Sequence, residues 1–399
     1  MKLLNRQQKK SLSDQAVTTL VNHFIFQLGN SLSSLFINLY LWRLTESLYI
    51  NGLYNLIAIL AQGLSSILIG RITKRKGHLI IYRYGIFLTA CFYLCIIIMQ
   101  EQMIHYFVWF ALLIGVAQAA YWLSYFTLAH EVSSNTNRHR YLGWNQILMG
   151  LANLVGPAVA GIVISLNSGL TGYIIVFIMA FILFFFATIG SFRLNMELKH
   201  HKEYYMKYLS LMIKKKRHFG TSLIGWFIIG FPQGILMYVP SILLFTILPN
   251  ESFIGYMNVF FLSLSIIASY LLARVAKLDS TKFYLFIAAF GMVCAATFLL
   301  WEIAIWSVVL FMTVQSIFRP LQATTYAVYY YSWLDLIPLK DNFRVESVVL
   351  REAIINFGRA MGIFIFMIFS TSINLDTIPW ILVFVMGIQL YIPVLIKEK

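Results

Sequence analysis

The sequence predicts an all-α integral membrane protein. It has twelve transmembrane helices in two six-helix halves, residues 1–193 and 218–399, joined by a basic cytoplasmic linker over 194–217. Three observations carry this prediction. The 399 residues are 60% hydrophobic and 11% charged, against roughly half apolar and a quarter charged in a soluble chain. The apolar residues fall in repeated runs of about 20, the length that crosses a bilayer core of about 30 Å. Lys and Arg cluster on alternate connections between the runs, as the positive-inside rule requires. Placed this way, the net charge of +15 sets topology and gives no support to nucleic-acid binding.

A basic leader, residues 1–14, precedes the first span. That span is too long for the apolar core of a signal peptide, so no cleavable signal is expected. The spans cover 16–41, 50–69, 79–99, 104–129, 141–166 and 171–192, then 219–248, 253–276, 282–301, 303–333, 346–372 and 377–396. The leader, Arg71–Lys76, Arg138–Arg140, the linker, Arg274–Lys282, Lys340–Arg344 and the tail all fall on one side, which places both termini in the cytoplasm. The opposite side carries Arg43 with Glu46, Glu101, Glu251, Glu302 and Asp376. The linker, with Tyr204, Tyr205, Tyr208 and Lys214–Arg217, reads as a topological tether or as an amphipathic segment on anionic lipid.

Between spans two and three runs Gly70-Arg71-Ile72-Thr73-Lys74-Arg75-Lys76-Gly77-His78, read as a short cytoplasmic loop. A degenerate copy of its start recurs about 203 residues on, where Ser66–Lys74 aligns with Ser269–Lys277. The same offset pairs Cys91 with Cys294 and Asn153 with Asn356. One more residue of offset aligns Gln118, Tyr121, Tyr125 with Gln322, Thr325, Tyr329. A shared offset implies parallel halves related by an axis along the membrane normal. It equates span four with ten, and five with eleven.

Two parallel halves, a basic central link and a basic stretch after span two resemble the major facilitator superfamily. Its loop signature reads roughly Gly-x-x-x-Asp-Arg/Lys-x-Gly-x-Arg/Lys-Arg/Lys, and Gly70, Arg75 and Gly77 match it. Lys74 stands at the aspartate position, so the family's latch on the outward-facing state must differ or be absent. A span-five signature ending Gly-Pro-x-x-Gly-Gly is matched by Gly156, Pro157 and Gly161, with Ala160 in place of one glycine.

The resemblance implies that spans one, four, seven and ten line a central substrate cavity. Span one carries His23, Gln27, Asn30, Ser34 and Asn38 at spacings of three and four, a polar stripe that faces either protein or water. Span four offers Gln118, Tyr121, Trp122 and Tyr125; span ten offers Gln322, Tyr326, Tyr329 and Tyr330. Trp122 and Tyr326 lie about 10–16 Å from the cytoplasmic end at 1.5 Å per residue, too deep for an interfacial belt. Span seven contains Gly225, Gly230, Pro232, Gly234 and Pro240, a composition that permits a kink.

Away from helix ends, charge is confined to Arg319, Arg351, Glu352 and Arg359. Intramembrane charges face the interior and are functional candidates. Arg319 or Arg359 binding an anion while Glu352 exchanges a proton is one reading; an ion pair locking spans ten and eleven is the other. Gly156 stands where Arg359 has its repeat mate, so the charge is asymmetric.

Cys91, Cys95 and Cys294 lie in apolar runs, and no metal-ligand, nucleophilic or Walker pattern occurs. Neither cofactor nor enzymatic activity is expected. The expected function is secondary transport of a small organic solute by a monomer in the lipid of the plasma membrane, coupled to protons. The span-five motif, commoner among the family's exporters, tilts it to efflux by antiport. Uptake or flipping of an anionic or lipid-like substrate is the alternative, and a non-transporting receptor or assembly factor is a third.

Overall fold

A computed structural model describes residues 12–133, 137–195, 204–275, 280–334, 343–370 and 377–396. The described residues are helical or in short connections. Six long helices form the first half: α1 Asp14–Thr45, α2 Leu48–Lys76, α3 His78–Met99, α4 Phe107–Glu131, α5 Arg138–Ser165 and α6 Thr171–Ser191. The linker contributes a 3₁₀ turn at Tyr205–Tyr208 and α7 Leu209–Lys215. The second half comprises α8 Arg217–Leu236, α9 Val239–Ile247, α10 Glu251–Val275, α11 Thr281–Phe298, α12 Ile305–Leu334, α13 Arg344–Ser370, α14 Thr377–Gly387 and α15 Ile392–Leu395.

Local chemistry explains the boundaries. The Ser13 and Ser47 side chains accept from Ala16 N and Ile50 N and cap α1 and α2. Glu46 takes the left-handed conformation at φ 47° and ends α1 with its N–H on Trp42 O. The stretch expected as a loop, 70–78, is mostly helix, which corrects the expectation. Nothing in Arg71–Lys76 breaks a helix, and basic residues suit a helix C-terminus. The turn reduces to Gly77, at φ 97°, with its N–H bonded to Thr73 O and α3 starting at His78. The anticipated bend in span seven occurs at Met237–Tyr238, between α8 and α9 and just before Pro240. Span twelve is also interrupted, by a 3₁₀ turn at Ile388–Tyr391. Residues 1–11 of the leader, 196–203 of the linker, the loops at 134–136, 276–279, 335–342 and 371–376, and the tail at 397–399 lie outside the described residues.

Within the first half, α2 packs on α4, α4 on α3, α3 on α6, α6 on α1 and α1 on α5. The second half repeats the plan, with α8 on α13 and α12 against α10 and α11. The halves meet along α2–α13 and α5–α10. Under the 203-residue repeat these are one contact made twice, since span two corresponds to eight and span five to eleven. Glycines allow close approach at both: a Cβ on Gly63 would sit 3.3 Å from Asn356 Cβ, and one on Gly255 would sit 2.6 Å from Pro157 O. The span-five signature thus lies at packing contacts. Gly161 abuts the start of α10, and Gly156 abuts α1, where an added Cβ would meet Leu32 N at 2.8 Å.

The spans formed by α1 and by α8–α9 are 67% and 72% buried over their most apolar windows, against 17% for that of α10. The first two therefore stand at the centre, whereas α10 turns the greater part of its apolar surface outward. Buried polar groups tie the centre together: Ser33 Oγ donates to Tyr93 OH at 2.6 Å, joining α1 to α3. Ser33→Ala is expected to lower stability by about 1–2 kcal/mol, because the Tyr93 hydroxyl is left buried without this partner. Thermal unfolding of the purified protein measures it.

Candidate functional site

The polar stripe of α1 divides between packing and access. His23 Nδ1 shares a 2.5 Å hydrogen bond with Tyr121 OH, and its ring stacks 3.6 Å from that of Tyr125. Gln27 Nε2 donates to Asn153 Oδ1 on α5 at 2.8 Å, and Asn38 Oδ1 accepts from Asn55 on α2 at 2.7 Å. These three side chains are buried in bonds to three different helices. Asn30 is half-buried and Ser34 exposed, so the open part of the stripe is its middle.

On α4, Trp122 Nε1 donates to Gln118 Oε1 at 2.8 Å, and both are half-buried. Tyr125 is buried and donates to Asn145 of α5 at 2.6 Å. On α12, Gln322 bonds Gln389 at 3.0 Å and Tyr326 OH donates to Ser222 O at 2.7 Å. Tyr329 is buried, and its hydroxyl meets no hydrogen-bond partner among the described residues. Of the expected cavity wall, Gln118, Trp122, Asn30 and Arg319 are accessible; most of the others hold the helices to each other.

The intramembrane charges gather at α8, α12 and α13. Arg359 directs Nε and Nη2 to Gln233 Oε1 at 3.1 and 2.8 Å, and Nη1 to Asn356 Oδ1 at 2.9 Å. Arg351 donates to Glu352 at 2.8 Å and to Tyr331 OH at 3.0 Å, with its guanidinium 5.4 Å from the Phe126 ring of the other half. Glu131, a further carboxylate near the membrane, lies 3.1 Å from His78.

Among the described residues two ion pairs join the halves, and sequence reading identified neither as a pair. Lys74, in the last turn of α2, meets Glu346, in the first turn of α13, at 2.5 Å; both side chains are almost wholly buried. The Glu346 carboxylate also accepts from Tyr205 N at 2.8 Å, and the Tyr205 ring lies 4.9 Å from Lys74 Nζ. Arg71 and Arg75 remain exposed, and Gly70 packs beneath Val349 and the Tyr204 hydroxyl. Burial beside Glu346 raises the Tyr204 hydroxyl well above its ordinary range.

The second pair joins Arg43, in the last turn of α1, to Glu251, in the first turn of α10, at 2.5 Å. Tyr173 OH donates to Glu251 at 3.1 Å. Each pair places a cation at a helix C-terminus and an acid at a helix N-terminus, where the macrodipoles favour them. Because α1 and α2 are antiparallel neighbours joined by two residues, the pairs sit at opposite ends of the bundle. The signal for the first was Lys74 itself: a cation at an aspartate position calls for an acidic partner.

Comparison with known proteins agrees with this architecture. A family model described as the Major Facilitator Superfamily matches residues 19–339. The Bacillus subtilis (strain 168) protein YqgE is 26% identical over 359 residues, 88% of this chain and 82% of that protein. A Geobacillus stearothermophilus protein encoded in the sodM 3′ region is 32% identical over 38% of this chain and 72% of its own length. Among solved structures, an inward-facing bacterial homologue of the iron transporter ferroportin aligns with a TM-score of 0.71 at 13% identity, covering 96% and 98% of the two chains. A D-xylose–proton symporter aligns with a TM-score of 0.70 at 12% identity, covering 94% and 96%. Likenesses at such identity show the fold alone. The family match spans most of the sequence, and the chain belongs to the Major Facilitator Superfamily, a multi-pass membrane transporter and not an enzyme.

Proposed function

We propose that this protein is a twelve-span secondary transporter of the plasma membrane, with both termini cytoplasmic, that moves a small organic solute by alternating access. The observation that carries this reading is the pair of inter-half ion pairs at opposite ends of the bundle. Lys74–Glu346 is the cytoplasmic gate and Arg43–Glu251 the outer gate. A gate must be stable when closed and separable when open. Ion pairs meet both conditions, because their charges are hydrated once the halves part. The family's latch is thus retained with its charge inverted, the cation on α2 and the acid on α13.

Protons supply the energy, and Glu352 is the exchanging carboxylate, placed among Arg351, Arg359 and the half-open interior. The glycines of the span-five motif have packing roles here, so direction rests on the chemistry of the cluster. Among the described residues no three His, Cys, Asp or Glu side chains gather at metal-binding distance, and the polar amides and guanidiniums of the interior favour an organic solute over the iron named for the ferroportin homologue.

Flux in proteoliposomes with an imposed pH gradient tests the reading. Glu352→Gln is expected to abolish the response to the gradient while the protein inserts and folds as before. Wild-type coupling in that variant would remove Glu352 from the mechanism.

A further inference from the structure

The membrane-spanning helices α12 and α13 of the second half carry three guanidiniums and one carboxylate, a net charge of +2 from Arg319, Arg351, Arg359 and Glu352. Arg351 and Glu352 compensate each other. Arg359 spends three of its N–H donors on the neutral amides of Gln233 and Asn356. Arg319 has no hydrogen bond or ion pair among the described residues. It is solvent-accessible although it lies four residues after Gln315, three before Gln322 and seven before Tyr326, which are all buried. This is the inward stripe of α12: Gln315 reaches Met386, Gln322 reaches Gln389 and Tyr326 reaches Ser222. An accessible arginine on an inward stripe faces an interior space.

The fold does not require these charges. In the first half the equivalent helix pair is α1–α5, with Asn153 at the place of Asn356 and Gly156 at the place of Arg359. There Gln27 bonds Asn153 directly, and Gly156 leaves no room for a side chain. The same helix pairing is therefore held there without charge, by the Gln27–Asn153 amide bond and by the Ser31 hydroxyl on Ala152 O, and Arg359 is a charge added to it.

We infer that Arg319 and Arg359, steadied by Gln233 and Asn356, bind the anionic group of the transported solute, a small organic carboxylate or phosphate. The inference rests on the transport reading above. Planar guanidiniums match the paired oxygens of such groups, and intramembrane cations without carboxylate partners gain most from an anion. The accessible Trp122–Gln118 wall of the first half suits the solute's organic body.

Charge balance sets the coupling. A monoanion lowers the cluster from +2 to +1, and a proton on Glu352 restores +2. Protonation of Glu352 strengthens anion binding, whereas antiport needs it to weaken binding. Proton and anion therefore travel together, as symport.

The test is thermal protection of the purified protein by benzoate, citrate and glycerol 3-phosphate, against D-xylose and tetraphenylphosphonium. At least one anion is expected to protect, more strongly at lower pH. Its apparent affinity should fall at least tenfold in Arg319→Ala and partly recover in Arg319→Lys; Arg319 bonds nothing else described, so these variants fold. The pH effect should vanish in Glu352→Gln. Protection only by the neutral or cationic probe, protection by none of the anions, or equal anion affinity in wild type and Arg319→Ala would overturn the inference. Protection by phosphatidylglycerol vesicles but by no soluble anion would replace the solute with a lipid headgroup and overturn it too. Anion binding without flux of that anion would instead overturn the transport reading and leave the site standing.

Discussion

Glu346→Gln is expected to shift the protein toward its cytoplasm-open state by about two orders of magnitude. Removing one partner of a buried ion pair costs about 3–5 kcal/mol, because the remaining charge stays desolvated. Here that charge is Lys74, almost fully buried when the halves are closed and hydrated when they part. The cost therefore falls on the closed state. Glutamine retains a hydrogen bond to Lys74, which places the effect at the lower end, and each 1.4 kcal/mol is a factor of ten. Lys74→Met should act in the same direction. The double exchange Lys74→Glu with Glu346→Lys restores the attraction but reverses both helix-end relations, and Tyr205 N loses its acceptor. About 1–2 kcal/mol of the loss should remain. Inter-half distances from paired spin labels on the ends of α2 and α13 that bear Lys74 and Glu346 measure the wild type and the three variants. Unchanged distances in Glu346→Gln would reduce the pair to a static tie.

Glu251→Gln is expected to shift the protein the other way, by about one order of magnitude. The Arg43 side chain is 34% exposed, so solvent screens the pair and its worth is nearer 1 kcal/mol than the buried value. The Tyr173 hydrogen bond to the same carboxylate adds to the loss. Because the two gates compete, Glu251→Gln combined with Glu346→Gln should return the balance part of the way toward wild type. Spin-label distances across the outer ends of α1 and α10 report it, and a double variant more cytoplasm-open than Glu346→Gln alone would contradict the competition.

The architecture was legible because a bilayer simplifies the grammar. Span length, basic loops and the 203-residue repeat are all encoded locally along the chain. The inter-half pairs were not, because Lys74 and Glu346 are separated by 272 residues and nothing local marks them as neighbours. The polar and aromatic stripes on spans one, four and ten were legible as helical spacings. Spacing alone cannot divide an inward face between packing and cavity, however. His23, Gln27, Asn38 and Tyr326 bond to adjacent helices, while Asn30 and Arg319 stay open, and that division depends on where neighbouring helices diverge. The basic stretch at 70–78 misled in another way: its charge marks a membrane boundary, but α2 continues through it until Gly77 supplies the positive φ that ends the helix.

The central claim is that the two ion pairs are gates that open in alternation onto one interior space. A single cysteine at Asn30, near the middle of α1, probes that space directly in a background with Cys91, Cys95 and Cys294 replaced. A membrane-impermeant maleimide is applied from each face of oriented vesicles. The account predicts that Glu346→Gln speeds labelling from the face bearing Lys74 and slows it from the other, and that Glu251→Gln does the reverse. Labelling that both substitutions leave unchanged, or that both raise from the same face, would contradict it.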